Sequence, residues 1–204
     1  IVMDEKGFDR IVWVIGILDG STWADFRPIT GGLVQELGPV MGAVDRALTD
    51  FVHPGLVREF KWHLPSGGWI ADHLDAILDA GRHKIIKQIL DEFSAVKPDL
   101  ESLPVQAIHN DINDYNILVA GSLEESPGIS GIIDLGDMCK APVVCDLAIA
   151  AAYVVLDHPE PEQALENLVI GFHSRYPLSA AELDIVCRLL LQQLDVSVVN
   201  STLM

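Results

Sequence analysis

Apolar residues recur at helical spacing from Leu33 through Leu37, Val40, Met41, Val44 and Leu48 to Phe51, and Gly38-Pro39 marks a kink or break within that helix. Ile85, Ile86, Ile89, Leu90, Phe93 and Val96 fall on one face of a second amphipathic helix over 84–96, with Pro98 just past its end. Between the two, 52–81 is rich in Pro and Gly and predicts loop and short helix. The β-branched run of 10–18 predicts a strand that ends at Asp19-Gly20. Three apolar runs, 105–108, 117–119 and 131–133, are too short for helices and predict small strands carrying loops, with 121–130 as an exposed loop. Three further helices follow, over 143–156, from Pro161 to Tyr176, and from Ser179, where Ser179 and Glu182 form a capping-box pattern.

The chain holds 13 Lys plus Arg against 30 Asp plus Glu, a formal charge of −17. Such a surface repels nucleic-acid phosphates and anionic membranes, so neither is expected as a partner, and it suits cationic or metal-bound ligands. Half of the 204 residues are apolar, enough for a substantial core. Yet the most apolar stretch, 147–156, is far shorter than the roughly 20 residues a bilayer demands and predicts a buried helix. Three cysteines, Cys139, Cys145 and Cys187, form no CxxC pair and fit a reduced, cytoplasmic setting. The amino terminus carries no secretion-signal pattern and no initiator methionine, as expected of a fragment or a processed chain.

One stretch does not fit a simple apolar alternation. In "IHNDINDYNILV" (108–119), one histidine, two aspartates and three asparagines fall within eight positions, between apolar runs. Polar groups packed that densely are costly to fold unless each finds a partner, so a binding role is expected. His109, Asp111 and Asn116 stand in the order H-x-D-x-x-x-x-N, and "IIDLGD" follows with Asp134 in an Asp-x-Gly. Random placement of 7 His, 19 Asp and 5 Asn would yield about 0.02 copies of the first pattern. The two patterns match a kinase catalytic loop and its metal-binding segment, in the right order. Phosphoryl transfer needs a carboxylate to orient and deprotonate the attacking hydroxyl, and Mg²⁺ to neutralise the nucleotide phosphates. On this reading Asp111 is the base, Asn116 and Asp134 are the metal ligands, and Asp111 and Asp134 converge although 23 positions apart.

The duller readings stand beside these. His109 suits a purely structural role, satisfied by backbone beneath the loop, and Asn113 and Asp114 suit turn formation. Asp137 fits a further acidic metal or substrate contact or a helix cap, and Asp146 a cap or a brace for the loop. Trp23, Trp62 and Trp69 could stack on a cationic substrate but fit core packing better.

The stretches "AIHNDINDYNILV", "GIIDLGD" and "CDLAIAAAYVV" resemble the aminoglycoside phosphotransferase and choline kinase family, the small-molecule branch of the protein-kinase-like fold. "LGPVMGAVDRALTDFVHPGLVREFKWHL" (37–64) is similar to the hydroxylysine kinase subgroup and related bacterial kinases. The resemblance implies an α+β, mainly helical fold with a small β-hairpin element carrying the catalytic loop. It implies Asp111 as base, Asn116 and Asp134 on Mg²⁺, ATP or GTP as donor, and a small, amino-containing acceptor, for which the acidic surface suits a cationic one. It also implies that this is the carboxy-terminal lobe alone: 1–25 would be a remnant of the missing amino-terminal lobe, with Asp19 and Gly20 in the nucleotide hinge, and 26–204 the catalytic and substrate-binding lobe. Such a lobe by itself is expected to turn over little. Asn110 stands where this branch usually has glycine, and Leu135 where it has an aromatic residue. The alternative is a catalytically silent, kinase-like scaffold or partner-binding module, against which the intact Asp111, Asn116 and Asp134 argue.

Overall fold

A computed structural model describes residues 1–10, 15–58, 60–122, 124, 126–156 and 158–204. It is mainly helical, with small antiparallel sheets, as the resemblance implies. The helices are α1 (Gly31–Leu48), α2 (Ala80–Ser102), α3 (Val144–Val155), α4 (Pro161–Arg175) and α5 (Ala180–Thr202). The strands are β1 (Val2–Met3), β2 (Asp9–Arg10), β3 (Ser21–Thr22), β4 (Gln106–Ile108), β5 (Ile117–Ala120), β6 (Gly128–Ile132) and β7 (Cys139–Ala141). They pair as β1-β2, β3-β5-β6 and β4-β7. Short 3-10 segments cover Pro54–Leu56, Leu64–Ala76 and Leu135–Asp137.

Helix starts follow local chemistry. Thr30 accepts from the Leu33 N–H, Asp79 from Arg82, and Ser179 and Glu182 complete a reciprocal capping box. The sequence of α3 is apolar almost throughout because the helix is central: residues 144–152 and Val154 are buried, and α4 and α5 pack against it. None of the described helices is long and apolar enough to cross a membrane.

Three expectations need correction. Of the strand expected over 10–18, residues 11–14 lie outside the described residues; Arg10 pairs back with Val2, and 15–18 have no ladder partner among the described residues, with Ile15 and Ile17 exposed. The loop expected over 121–130 gives way to β6 at Gly128, where pairing with Ala120 supplies backbone partners that side-chain composition does not reveal. Neither proline stops a helix: Pro98 lies inside α2, whose last turn is held down by the fully buried Leu100, and Pro39 lies inside α1.

Pro39 sits where α1 crosses α4. A Cβ on Gly38 would lie 2.5 Å from the Leu168 carbonyl oxygen and 2.7 Å from the Phe172 nitrogen, and one on Gly171 2.7 Å from the Pro39 ring. The absence of side chains there lets the two backbones touch, which seats Leu37 and Met41 beside Leu168 and Phe172 in the core. Gly38→Ala is therefore expected to destabilise the fold by about 1–3 kcal/mol, because collision with fixed backbone outweighs alanine's helix-propensity gain of roughly 1 kcal/mol. A urea unfolding midpoint unchanged or raised in this variant would contradict the close crossing.

Candidate active site

Two loops form the site, and each is held at both ends by a strand ladder. Loop 109–116 leaves β4 and enters β5; loop 133–138 leaves β6 and enters β7. Because Ile108 pairs with Cys139 and Ile117 with Ile132, the two loops begin and end at paired strands. Ile133 stitches them together: its N–H donates to the Asn116 carbonyl at 2.9 Å, and its carbonyl accepts from His109 Nε2 at 2.9 Å. The segments carrying Asp111 and Asp134 are thus adjacent.

His109 is fully buried and has no ring nitrogen to spare. A carbonyl can only accept, so Nε2 carries the proton, and Nδ1 accepts the Asp111 N–H at 3.2 Å. The imidazole acts as a backbone spacer. Asn110 follows at φ 65°, a left-handed conformation that glycine adopts freely and asparagine tolerates, which explains how it can stand in a glycine's place. Its amide donates to the Trp62 carbonyl at 3.2 Å.

The Asp111 carboxylate is gripped by two amides. Asn113 Nδ2 donates to Oδ1 and Asn116 Nδ2 to Oδ2, both at 2.8 Å, and Asn116 Nδ2 also reaches the Asp111 carbonyl at 2.8 Å. Half-burial raises the Asp111 pKa above the ordinary carboxylate value; the Asn113 amide opposes that rise, and the charge of Asp137 adds to it. Asn113 does more than form a turn. Its Oδ1 accepts from the Tyr115 and Asn116 N–H groups while its nitrogen orients the Asp111 carboxylate. That double role was legible only as the spacing D-x-N.

With its amide hydrogens turned to Asp111, Asn116 keeps its Oδ1 as the outward atom. Asp134 stands exposed at φ 64°, one oxygen held by the Gly136 N–H at 3.1 Å. Among the described residues no cluster of three or more His, Cys, Asp or Glu makes a closed metal cage. An amide oxygen and a carboxylate on an open face are, however, the hard oxygen donors that Mg²⁺ takes alongside phosphates and water, so the donor set fits. Asp137 pairs with Arg58 at 3.2 Å, and the same guanidinium donates to the Gly136 carbonyl at 2.8 Å while covering the Phe60 ring. No pattern in the sequence marks Arg58.

Asp146 lies in the first turn of α3, fully buried, and faces the loop from below. Its Oδ2 accepts the His109 N–H at 2.7 Å and its Oδ1 the Asn110 N–H at 2.5 Å. Beneath it is Asp45 of α1, also fully buried, which the helical pattern showed only as an acid within an apolar stripe. On the other flank, Gly20 adopts φ 135° against the Val119 carbonyl, and β3 pairs with β5. The Trp23 and Ala24 N–H groups donate to the Ile117 and Asp114 carbonyls, both at 2.8 Å, so the segment after Asp19 is tied directly to loop 109–116 and the strand after it. Of the tryptophans, Trp23 is buried and Trp62 is 38% exposed.

This geometry agrees with the comparisons. The model of the phosphotransferase enzyme family known as APH matches residues 9–183. The chain belongs to that family. It is 30% identical to mouse (Mus musculus) hydroxylysine kinase over 198 residues, which cover 85% of this chain and 53% of that one. It is 31% identical to the bovine (Bos taurus) enzyme over 182 residues, 84% of this chain and 48% of that one. This chain spans about half the length of the curated relatives it matches. Among solved structures, the fold is similar to a microcompartment-associated aminopropanol kinase (TM-score 0.56, 19% identity, 85% of this chain and 59% of that one). It is also similar to the amicoumacin kinase hAmiN (TM-score 0.60, 16% identity, 90% and 54%).

Proposed function

We propose that this phosphotransferase-family chain is the carboxy-terminal, catalytic lobe of a kinase that transfers the terminal phosphoryl group of ATP or GTP to a hydroxyl of a small amino-containing metabolite. Amino alcohols, hydroxy amino acids and aminoglycosides are the acceptor classes. The observation that carries the reading is the state of Asp111: a half-buried carboxylate gripped by Asn113 and Asn116, on a loop joined to the Asp134 loop through Ile133.

In this reading Asp111 accepts the proton of the acceptor hydroxyl as its oxygen attacks, and the two asparagines keep the carboxylate aimed. The raised pKa makes Asp111 a better proton acceptor than a surface carboxylate. Asn116 Oδ1 and Asp134 would hold Mg²⁺, which when bound offsets the negative charge of the nucleotide phosphates. Gly20 and the segment that follows would form part of the nucleotide hinge, and an amino-terminal lobe would complete the nucleotide site. The relatives' acceptors support an amino-hydroxyl substrate: hydroxylysine and aminopropanol each carry an amine and a hydroxyl. The charge of −17 suits a cationic acceptor.

The test is a transfer assay with ATP and GTP against a panel of amino alcohols and hydroxy amino acids. It would use the protein with both lobes and, in parallel, the 204-residue chain. We expect turnover of at least one panel member by the two-lobed protein and far slower turnover by the single lobe. Absence of transfer to every amino-hydroxyl compound would refute the acceptor class, and equal rates for the two proteins would refute the lobe assignment.

A further inference from the structure

Two carboxyl groups are buried together in the interior beneath loop 109–116. Asp45 and Asp146 are each fully buried and come from different helices, and the charge of Asp146 acts on Asp45. Two carboxylates have no hydrogen to share, so one of the pair must be protonated for them to bond to each other. Their surroundings decide which one. Asp146 accepts two backbone N–H groups, which stabilise negative charge. Neither oxygen of Asp45 accepts any protein hydrogen bond, and a bare carboxylate in that position would be an uncompensated buried charge.

We propose that Asp45 is a positioning residue held as the neutral acid, donating its carboxyl proton to Asp146 so that Asp146 remains a fixed carboxylate clamp under His109 and Asn110. The inference rests on the kinase reading only for its effect on turnover; the proton's location stands apart from it. Burial and the neighbouring charge of Asp146 both raise the Asp45 pKa well above the carboxylate range, in agreement with the geometry. The thiols nearby do not supply the missing charge or proton: burial pushes Cys139 up to about 12 and raises Cys145 as well, so both stay neutral.

The backbone of Asp45 is anchored in its turn. Its carbonyl accepts from Gln106 Nε2 at 2.8 Å, and Gln106 Oε1 accepts from the Tyr176 hydroxyl at 2.9 Å. Thus α1, β4 and the end of α4 fix the donor, the donor fixes Asp146, and Asp146 fixes the two backbone amides immediately before Asp111. Asp45 never touches substrate. It acts through the clamp.

The first test reads the proton itself on the 204-residue chain. With carbon-13 in the aspartate carboxyls, one side chain should remain protonated at a pH where the other aspartates, Asp195 at about 7 included, have ionised, and that signal should vanish in Asp45→Asn. Ionisation of every aspartate at that pH, or survival of the protonated signal in Asp45→Asn, overturns the proposal. The second test compares Asp45→Leu, which removes the donor, with Asp45→Asn, which keeps a neutral one. In Asp45→Leu, amide exchange at His109 and Asn110 should accelerate roughly tenfold more than in the core of α5, and kcat of the two-lobed enzyme should fall about 10- to 100-fold at near-constant KM. Asp45→Asn should restore both. Should Asp45→Leu fail to fold, Asp45→Asn still decides: loss of amide protection or of kcat in that variant overturns the neutral-donor role. Failure of the kinase reading would silence only the kcat arm and leave the carbon-13 and exchange results interpretable.

Discussion

Asp111→Ala is expected to lower kcat of the two-lobed enzyme by about 10²- to 10⁴-fold, the range that a positioned general base contributes, with little change in the KM for nucleotide. The substitution removes the oxygen atoms on which the Asn113 and Asn116 amides converge, and those amides lie at a half-buried face where water can replace the lost partner. Folding should therefore survive. The pH behaviour supplies a second readout. Because burial raises the folded pKa of Asp111, its ionised form is disfavoured in the native state; the associated destabilisation is present above the folded pKa and is relieved as pH falls through it. The acid limb of kcat/KM should correspondingly lie above the ordinary carboxylate value near 3.9, and Asp111→Ala should erase it. Steady-state kinetics against pH, with circular dichroism to verify the fold, would check both. Wild-type turnover in Asp111→Ala would remove the base assignment and favour a scaffold role.

Asp146→Ala is expected to have the largest effect on the fold around the site. It strips partners from the His109 and Asn110 N–H groups, both inside the protein, and leaves Asp45 with no acceptor for its proton. Each unsatisfied buried donor costs about 1–3 kcal/mol, so a loss of about 3–5 kcal/mol is expected, a large share of the stability of a domain this size. The backbone released is the turn that aims Asp111, so turnover should fall even in whatever fraction remains folded. Chemical denaturation of the 204-residue chain measures the first effect. A midpoint within experimental error of wild type would show that the clamp contributes nothing to stability.

The sequence made the centre of the site legible because its chemistry is local. His109, Asp111 and Asn116 lie within one turn-rich stretch, and their residue types and spacing are dictated by what one loop must hold, so a single window of chain contains the pattern. Helix identities were equally readable, since the apolar periodicity of α1 and α2 reflects one buried face each and the capping box marks the start of α5. Helix limits were less so. Pro98 reads as a terminator from local geometry, yet the burial of Leu100 beyond it carries α2 through another turn.

What escaped the sequence depends on groups far apart along the chain. Asp45 and Asp146 are separated by a hundred residues, and the helical pattern marks Asp45 only as an acid on an apolar face, with no sign of its partner. Arg58 meets Gly136 and Asp137 only because the loop after α1 folds across the second site loop. The sequence by itself determined the helical character, the catalytic-loop pattern and the expectation that Asp111 and Asp134 meet, because hydrophobic period and short-range spacing are properties of contiguous residues. Only the tertiary structure decided how the loops that carry them are joined through Ile133, which tautomer His109 takes and where the buried charge of Asp146 finds its partners. Hydrogen bonds and Coulomb interactions act over a few ångströms in space, and the chain reveals those distances only once it is folded.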